Sequence, residues 1–245
     1  MPTPVSHPFL LWLSSQEELV VLGPIAPLSS LNTLSLPPAL SNQEWVFAID
    51  GGRDRLSHYP SLRNSKVFSI GDGDSSSFFE HDLLYPPEKD DSDLALGLDL
   101  ILSHSTPERL KKIHFLGFWG GERDHEWMNL GEIYERLLKK TLGLEAHALE
   151  VFLYSEKNQL ILQGQRAGQT HFHHQGVFSL FSFEAWSPRI QGEIRYPLEG
   201  QKIIKPFSSH LLSNEARGDF QVHSQTPFFI YFRKPLVENK GSLIW

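Results

Sequence analysis

Lys66-Val67-Phe68-Ser69-Ile70 is a short apolar run that stops on Gly71-Asp72-Gly73-Asp74-Ser75. A run of that length, rich in apolar residues and closed by glycine and aspartate, predicts a buried strand ending in an acidic loop. The same pattern recurs on either side. Upstream, Trp45 to Ile49 closes on Asp50-Gly51-Gly52, and Leu19 to Leu22 is a further apolar run. Downstream, Lys89-Asp90-Asp91-Ser92-Asp93 opens a helix-like segment that reaches Leu102. Ile113 to Phe118 then runs into Gly120-Gly121-Glu122-Arg123-Asp124-His125, which opens a second helical segment from Asp124 to Leu142. There Met128, Ile133, Leu137 and Leu138 form an apolar stripe, Glu132, Glu135, Lys139 and Lys140 face water, and Gly143 suits a C-cap. Strands alternating with helices predict a mostly parallel α/β sheet with helices on its faces.

The pattern changes after residue 150. Val151–Tyr154, Leu160–Leu162, Val177–Phe183, Lys202–Ile204, Phe220–Val222 and Phe228–Phe232 are short candidate strands. Lys157-Asn158, Gly164, Gly168, Gly176, Pro188, Gly200, Gly218 and Pro227 punctuate them. Such spacing predicts an all-β sandwich, with the boundary between Leu144 and Leu149.

Composition limits what these halves can do. The chain has 245 residues, 40% hydrophobic and 21% charged, which suits two modest globular domains. No apolar run nears the roughly 18 residues of a membrane span. Phe9 to Leu13 has no basic residues ahead of it, so it does not read as a secretory signal, and the cytoplasm is the expected compartment. There is no cysteine, hence no disulfide and no thiolate metal site. A formal charge of −7 argues against nucleic acid as a partner, since that affinity rests on Lys and Arg.

The acidic loops all fall where strands end or helices begin. In an open parallel sheet, that edge is where ligands bind. Glycine lets backbone approach a phosphate, and helix N-termini offer it unpaired N–H groups. Aspartates are hard oxygen ligands suited to Mg²⁺, which bridges to substrate phosphates. Each loop alone is better explained as a turn or a cap, Ser92 included; their combination points to a divalent cation and a nucleotide. An EF-hand starting at Asp72 fails, because Ser77 and Leu83 stand where Gly and Glu are required. Neither a P-loop nor a Gly-x-Gly-x-x-Gly fingerprint is present. Asp72-Gly73-Asp74 also fits the Asp-x-Asp of a nucleotide-sugar glycosyltransferase, which stands as the rival reading.

These segments resemble the thiamine pyrophosphokinase family. The resemblance is carried by Ala48 to Gly52, Ile70 to Ser75, Glu88 to Leu96 and Gly117 to Asn129. It continues through Val177 to Leu180, Arg195-Tyr196-Pro197-Leu198 and Leu212-Ser213-Asn214-Glu215, covering about residues 18 to 232. It implies a Rossmann-like α/β nucleotide-binding domain over residues 1–146 and a C-terminal β-sandwich, the thiamine-binding domain, over 147–245, assembled as a homodimer. The implied activity is Mg²⁺-dependent transfer of pyrophosphate from ATP to the hydroxyl of thiamine. On this likeness Asp72, Asp74 and Asp93 bind the metal, and Asp50 and Asp124 complete the acidic rim. Either Asp93 or Asp124 takes the alcohol proton. Gly51, Gly52, Arg123 and His125 lie at the nucleotide, and Ser213 and Asn214 at thiamine, between the domains and near the dimer interface.

The chain departs from the family pattern in three places. Gly73 replaces a bulky apolar residue, and Ser92 replaces Thr. Glu122 stands where the family has Arg, with Arg123 one position late. A charge reversal at 122 weakens nucleotide binding unless Arg123 takes over. That leaves a second hypothesis, a binder of thiamine or nucleotide with little turnover, and a third, a pyrophosphokinase or nucleotide-sugar enzyme acting on another small alcohol. His171-Phe172-His173-His174 could begin a zinc site, but the nearby sequence supplies no third ligand. Trp127 and Trp186 are expected in the core, Trp119 in the core or stacked on a ligand ring, and His125 orients its loop.

Overall fold

The computed structural model describes residues 7–26, 40–41, 43–74, 81–139, 149–155 and 160–233. Twelve strands join in one mixed sheet, in the order β10-β9-β11-β8-β12-β7-β6-β5-β1-β2-β3-β4. Its parallel half contains β1 (Glu18–Leu22), β2 (Trp45–Ile49), β3 (Lys66–Gly71), the two-residue β4 (Leu83–Leu84), β5 (Lys112–Leu116) and β6 (Glu150–Tyr154). Apart from the edge strand β4, these strands are buried on both faces because their side chains alternate between two cores. Leu19 and Val21 join Phe47, Ile49, Ile113 and Phe115 in one core, and Val20, Leu22, Val46 and Ala48 pack on the other face.

The first face is covered by α1 (Pro8–Leu13), α3 (Asp93–His104) and α4 (Arg123–Glu132); α2 (Gly52–Arg55) is a single turn after β2. Ser92 caps α3, its Oγ accepting the Ala95 N–H at 3.1 Å. Leu94, Leu98 and Ile101 press α3 into the core. Helix α4 continues as a wider π-type turn through Ile133–Lys139. Ile133, Leu137 and Leu138 are buried there as the stripe predicts, together with Leu130 and Tyr134. Met128 is not part of the stripe: it is 68% exposed. Beyond Lys139 the expected helix end, with Lys140, Leu142 and Gly143, lies outside the described residues, as do the Leu144–Ala148 boundary, the Lys157-Asn158 turn and Ser75.

The antiparallel strands expected after residue 150 are present, but their ladder is continuous with the parallel one. β6 has two edges in use: it pairs parallel with β5 and antiparallel with β7 (Leu160–Gln165). From there β12 (Phe228–Phe232), β8 (Gly168–Phe181), β11 (Asn214–Ser224), β9 (Arg189–Ile194) and β10 (Leu198–Glu199) follow antiparallel. Strand β12 serves both cores. Phe228, Ile230 and Phe232 enter a C-terminal cluster with Phe178, Phe220 and Trp186, and Phe229 faces the core beneath α4. The expected strand at Lys202–Ile204 is only an isolated bridge from Ile204 to Trp186. Apolar runs marked β8 and β11 too short, because their outer faces are polar. The burial of β11 alternates along its whole length.

Candidate active site

The acidic rim is built by three elements that end at one edge of the sheet. Asp50 follows β2 with φ 54°, a left-handed conformation that is uncommon without glycine. Its N–H donates to the Ile70 carbonyl at 2.8 Å, fastening the turn to β3. Gly52 then begins α2 directly over the end of β1; a Cβ there would sit 2.1 Å from the Leu22 carbonyl oxygen. Only glycine lets the chain turn this close. Asp72 follows β3, and Asp93 opens α3.

The resulting site gathers carboxylate oxygens of Asp50, Asp72 and Asp93 within 4.8 Å of one another. Asp74 lies outside this trio: its side chain is exposed, and its N–H donates to Asp72 Oδ1 at 3.2 Å. One cation already serves the cluster. Lys89 Nζ lies 2.6 Å from Asp72 Oδ2 and 3.3 Å from Asp93 Oδ1, and its side chain is 13% exposed. The hydrogen bond from Lys89 holds the Asp72 carboxyl below its usual range. Burial pushes Asp93 upward, with Asp72 and Asp74 adding to it against the pull of Lys89. Burial also opposes the charge on Lys89, but the hydrogen bond to Asp72 and the field of Asp93 outweigh it and raise the ammonium. Three hard oxygen donors that draw in an ammonium fit a magnesium ion well.

A second cluster lies at the start of α4, where Glu122, Asp124 and His125 are exposed with their ligand atoms within 4.8 Å. Asp124 Oδ1 accepts the His125 N–H at 3.0 Å. Arg123 is turned away to Glu126, at 2.6 Å, with its side chain 79% exposed. Glu126 is almost fully buried, and its other oxygen accepts the Gly120 N–H at 2.8 Å. The glycine loop after β5 is thus latched onto α4 by a carboxylate that no sequence motif singled out. Lys89 was visible only as one charge in an acidic run. A Lys four residues before an Asp at a helix start is a weak signal of the pair.

Trp127 is a correction: it is 47% exposed, meeting Phe207 edge to face at 5.8 Å. Trp186 is buried, and Trp119 is partly buried against the first core. The polar groups of Ser213 and Asn214 are used within the C-terminal half. The Asn214 side chain accepts the Tyr196 and Glu215 N–H groups at 3.0 and 2.9 Å and donates to the Tyr196 carbonyl at 2.8 Å. Ser213 has φ 58°, donates its N–H to Ser179 Oγ and accepts from Arg233 at 2.9 Å. His173 contacts Asp219 at 2.6 Å on the exposed sheet face, and no third ligand joins them among the described residues.

Fold and rim together define an α/β protein whose parallel strands end on a carboxylate cluster, extended by antiparallel strands. That fold is the one found in thiamine pyrophosphokinases. The enzyme from Bacillus subtilis is similar over 87% of this chain and 96% of its own, with TM-score 0.60 and 19% identity. That from Geobacillus thermodenitrificans matches over 89% and 98%, with TM-score 0.63 and 18% identity. The Candida albicans enzyme matches over 92% and 93%, with TM-score 0.62 and 12% identity. No family model and no curated protein sequence matches the chain. At these identities the likeness establishes the fold, and function has to be argued from the site. Among the described residues, no helix is long and apolar enough to cross a membrane.

Proposed function

We propose that this chain is a thiamine pyrophosphokinase, moving the pyrophosphoryl group of ATP to the hydroxyl of thiamine and releasing AMP. The observation that carries the reading is the cluster of Asp50, Asp72 and Asp93 at the carboxyl ends of the parallel strands. It supports a nucleotide site in a fold shared with those enzymes along most of the chain. Mg²⁺ would be held by Asp72 and Asp93 with Asp50 or Asp74, and would neutralise phosphate charge. The alcohol oxygen bonds to the β-phosphorus as the bond from that phosphorus to the bridging oxygen breaks, and AMP leaves with the electron pair. The protein's work is alignment and charge neutralisation. Asp93 would be taken up by the cation, so the exposed Asp124 is the better acceptor for the alcohol proton.

In the same reading, residues 1–146 form the nucleotide half and residues 147–245 a β-sandwich that binds thiamine. Asn214 would act there by holding the Tyr196 backbone, and Ser213 by its unusual turn. The resemblance extends the proposal to a homodimer. A second reading, a binder with little turnover, is favoured by Arg123, which spends its charge on Glu126 instead of the rim. One experiment separates them: AMP release from ATP and Mg²⁺ with and without thiamine, beside Asp72→Asn. Thiamine-dependent AMP that vanishes in the variant supports the enzyme. Thiamine binding by calorimetry without AMP supports the binder.

A further inference from the structure

We propose that Lys89 is an exchangeable counter-ion of the acidic cluster, whose release couples cation binding to the arrival of a polyphosphate. This rests on the nucleotide-site reading above and adds to it how the site is regulated. Both oxygens of Asp72 already have donors: Oδ1 takes the Asp74 N–H at 3.2 Å, and Oδ2 takes Lys89 Nζ at 2.6 Å. Asp93 Oδ1 faces the same ammonium at 3.3 Å. A divalent ion bound among Asp50, Asp72 and Asp93 competes with Lys89 for those oxygens.

The cost of that competition depends on what else is present. The Lys89 side chain is 13% exposed, so an ammonium pushed off the carboxylates has little water to receive it. Lysine is a point charge with three donors on a flexible four-carbon stem, able to swing to a new anion without leaving its place in the chain. A phosphate chain entering with the cation supplies that anion through charge-assisted hydrogen bonds. The cation alone therefore binds weakly, and cation with polyphosphate binds well. By linkage, each ligand tightens the other by the same factor. Without a nucleotide, the lysine keeps the carboxylates neutralised and together.

The test is Mn²⁺ binding, followed by electron paramagnetic resonance, to the full chain with and without α,β-methylene ATP. Wild type, Lys89→Met and Lys89→Arg are compared. The expected result is that Lys89→Met binds Mn²⁺ alone about tenfold more tightly than wild type, and that the tightening by nucleotide shrinks by a similar factor. Lys89→Arg retains the cation and tracks wild type. Unchanged or weaker Mn²⁺ binding by a Lys89→Met protein with a cooperative thermal melt overturns the proposal. If that variant does not fold, Lys89→Gln takes its place under the same criterion. Absence of Mn²⁺ binding in every form also overturns it. The predicted Mn²⁺ pattern without AMP formation would sink the proposed reaction and leave the counter-ion role standing.

Discussion

His114 makes the acid stability of this protein calculable. It lies on β5, 4% exposed, with its ring stacked on Phe152 at 4.8 Å and its Nδ1 sharing a 3.0 Å hydrogen bond with the Tyr154 hydroxyl. Burial, helped by Lys112, pushes the imidazole from its ordinary 6.5 down to about 3. Glu18, 3.9 Å from Nε2, is too distant to reverse this. The folded state therefore stays neutral while the unfolded chain takes up a proton. Stability is complete above the unfolded value of 6.5 and falls as pH drops from there toward 3. At about pH 5 the unfolded form lies some 1.5 pH units below its own pKa, which costs folding about 2 kcal/mol. Urea denaturation near pH 7 and pH 5 checks this against His114→Asn, which keeps a polar atom near Tyr154 and cannot titrate. The variant is less stable at both pH values because it leaves a gap. Only the change with pH is compared, so that cost cancels, and so do the other histidines. Wild type should lose about 2 kcal/mol more than the variant over this interval. Equal losses in the two proteins would refute the neutral, buried imidazole.

Three further outcomes follow from the packing. Gly52→Ala forces its methyl group to within 2.1 Å of the Leu22 carbonyl, so the Asp50 turn must shift. A loss of about 3 kcal/mol in chemical denaturation, or insoluble protein, is expected, and a near-neutral result would contradict the close approach. Glu126→Ala leaves the Gly120 N–H without its charged acceptor; about 2–3 kcal/mol should be lost, with faster amide exchange at Gly120 by NMR. Arg136 is shared among Asp91 at 2.6 Å, Glu132 at 2.7 Å and Asp99. Since those carboxylates are about one-third or more exposed, Arg136→Gln should cost only about 1 kcal/mol, and the difference should shrink in high salt during urea titration.

The parallel half was legible because its strands are apolar on both faces and stop on glycine and aspartate. Trp45–Ile49 is read to the residue, and Ser92 marks the start of α3 by its hydroxyl alone. The antiparallel half was less so. Half of each residue run in β8 and β11 faces solvent, and Arg189–Ile194 carries too few apolar residues to stand out. At the site, Asp50, Asp72 and Asp93 were readable as loop residues, but their distances depend on how far each strand extends, and Asp74, two residues past Asp72, gives its N–H to that carboxylate while its own side chain is exposed. Lys89 and Glu126 were hidden for another reason. A single charge in a charged segment looks solvated until tertiary structure removes its water. Trp127 shows the converse, a large aromatic that helical position leaves at the surface.

The two edges of β6 have a mechanical consequence. A linker would let the two halves swing freely, but here β6 bonds β5 on one side and β7 on the other. Further ties lie outside the ladder, from Tyr134 to Ser182, from Arg166 to the Leu137 carbonyl and from Lys139 to Glu184, so parting the halves requires the ladder to unzip and these contacts to break together. Across that seam the sheet behaves as a continuous beam, stiff against bending between one half and the other.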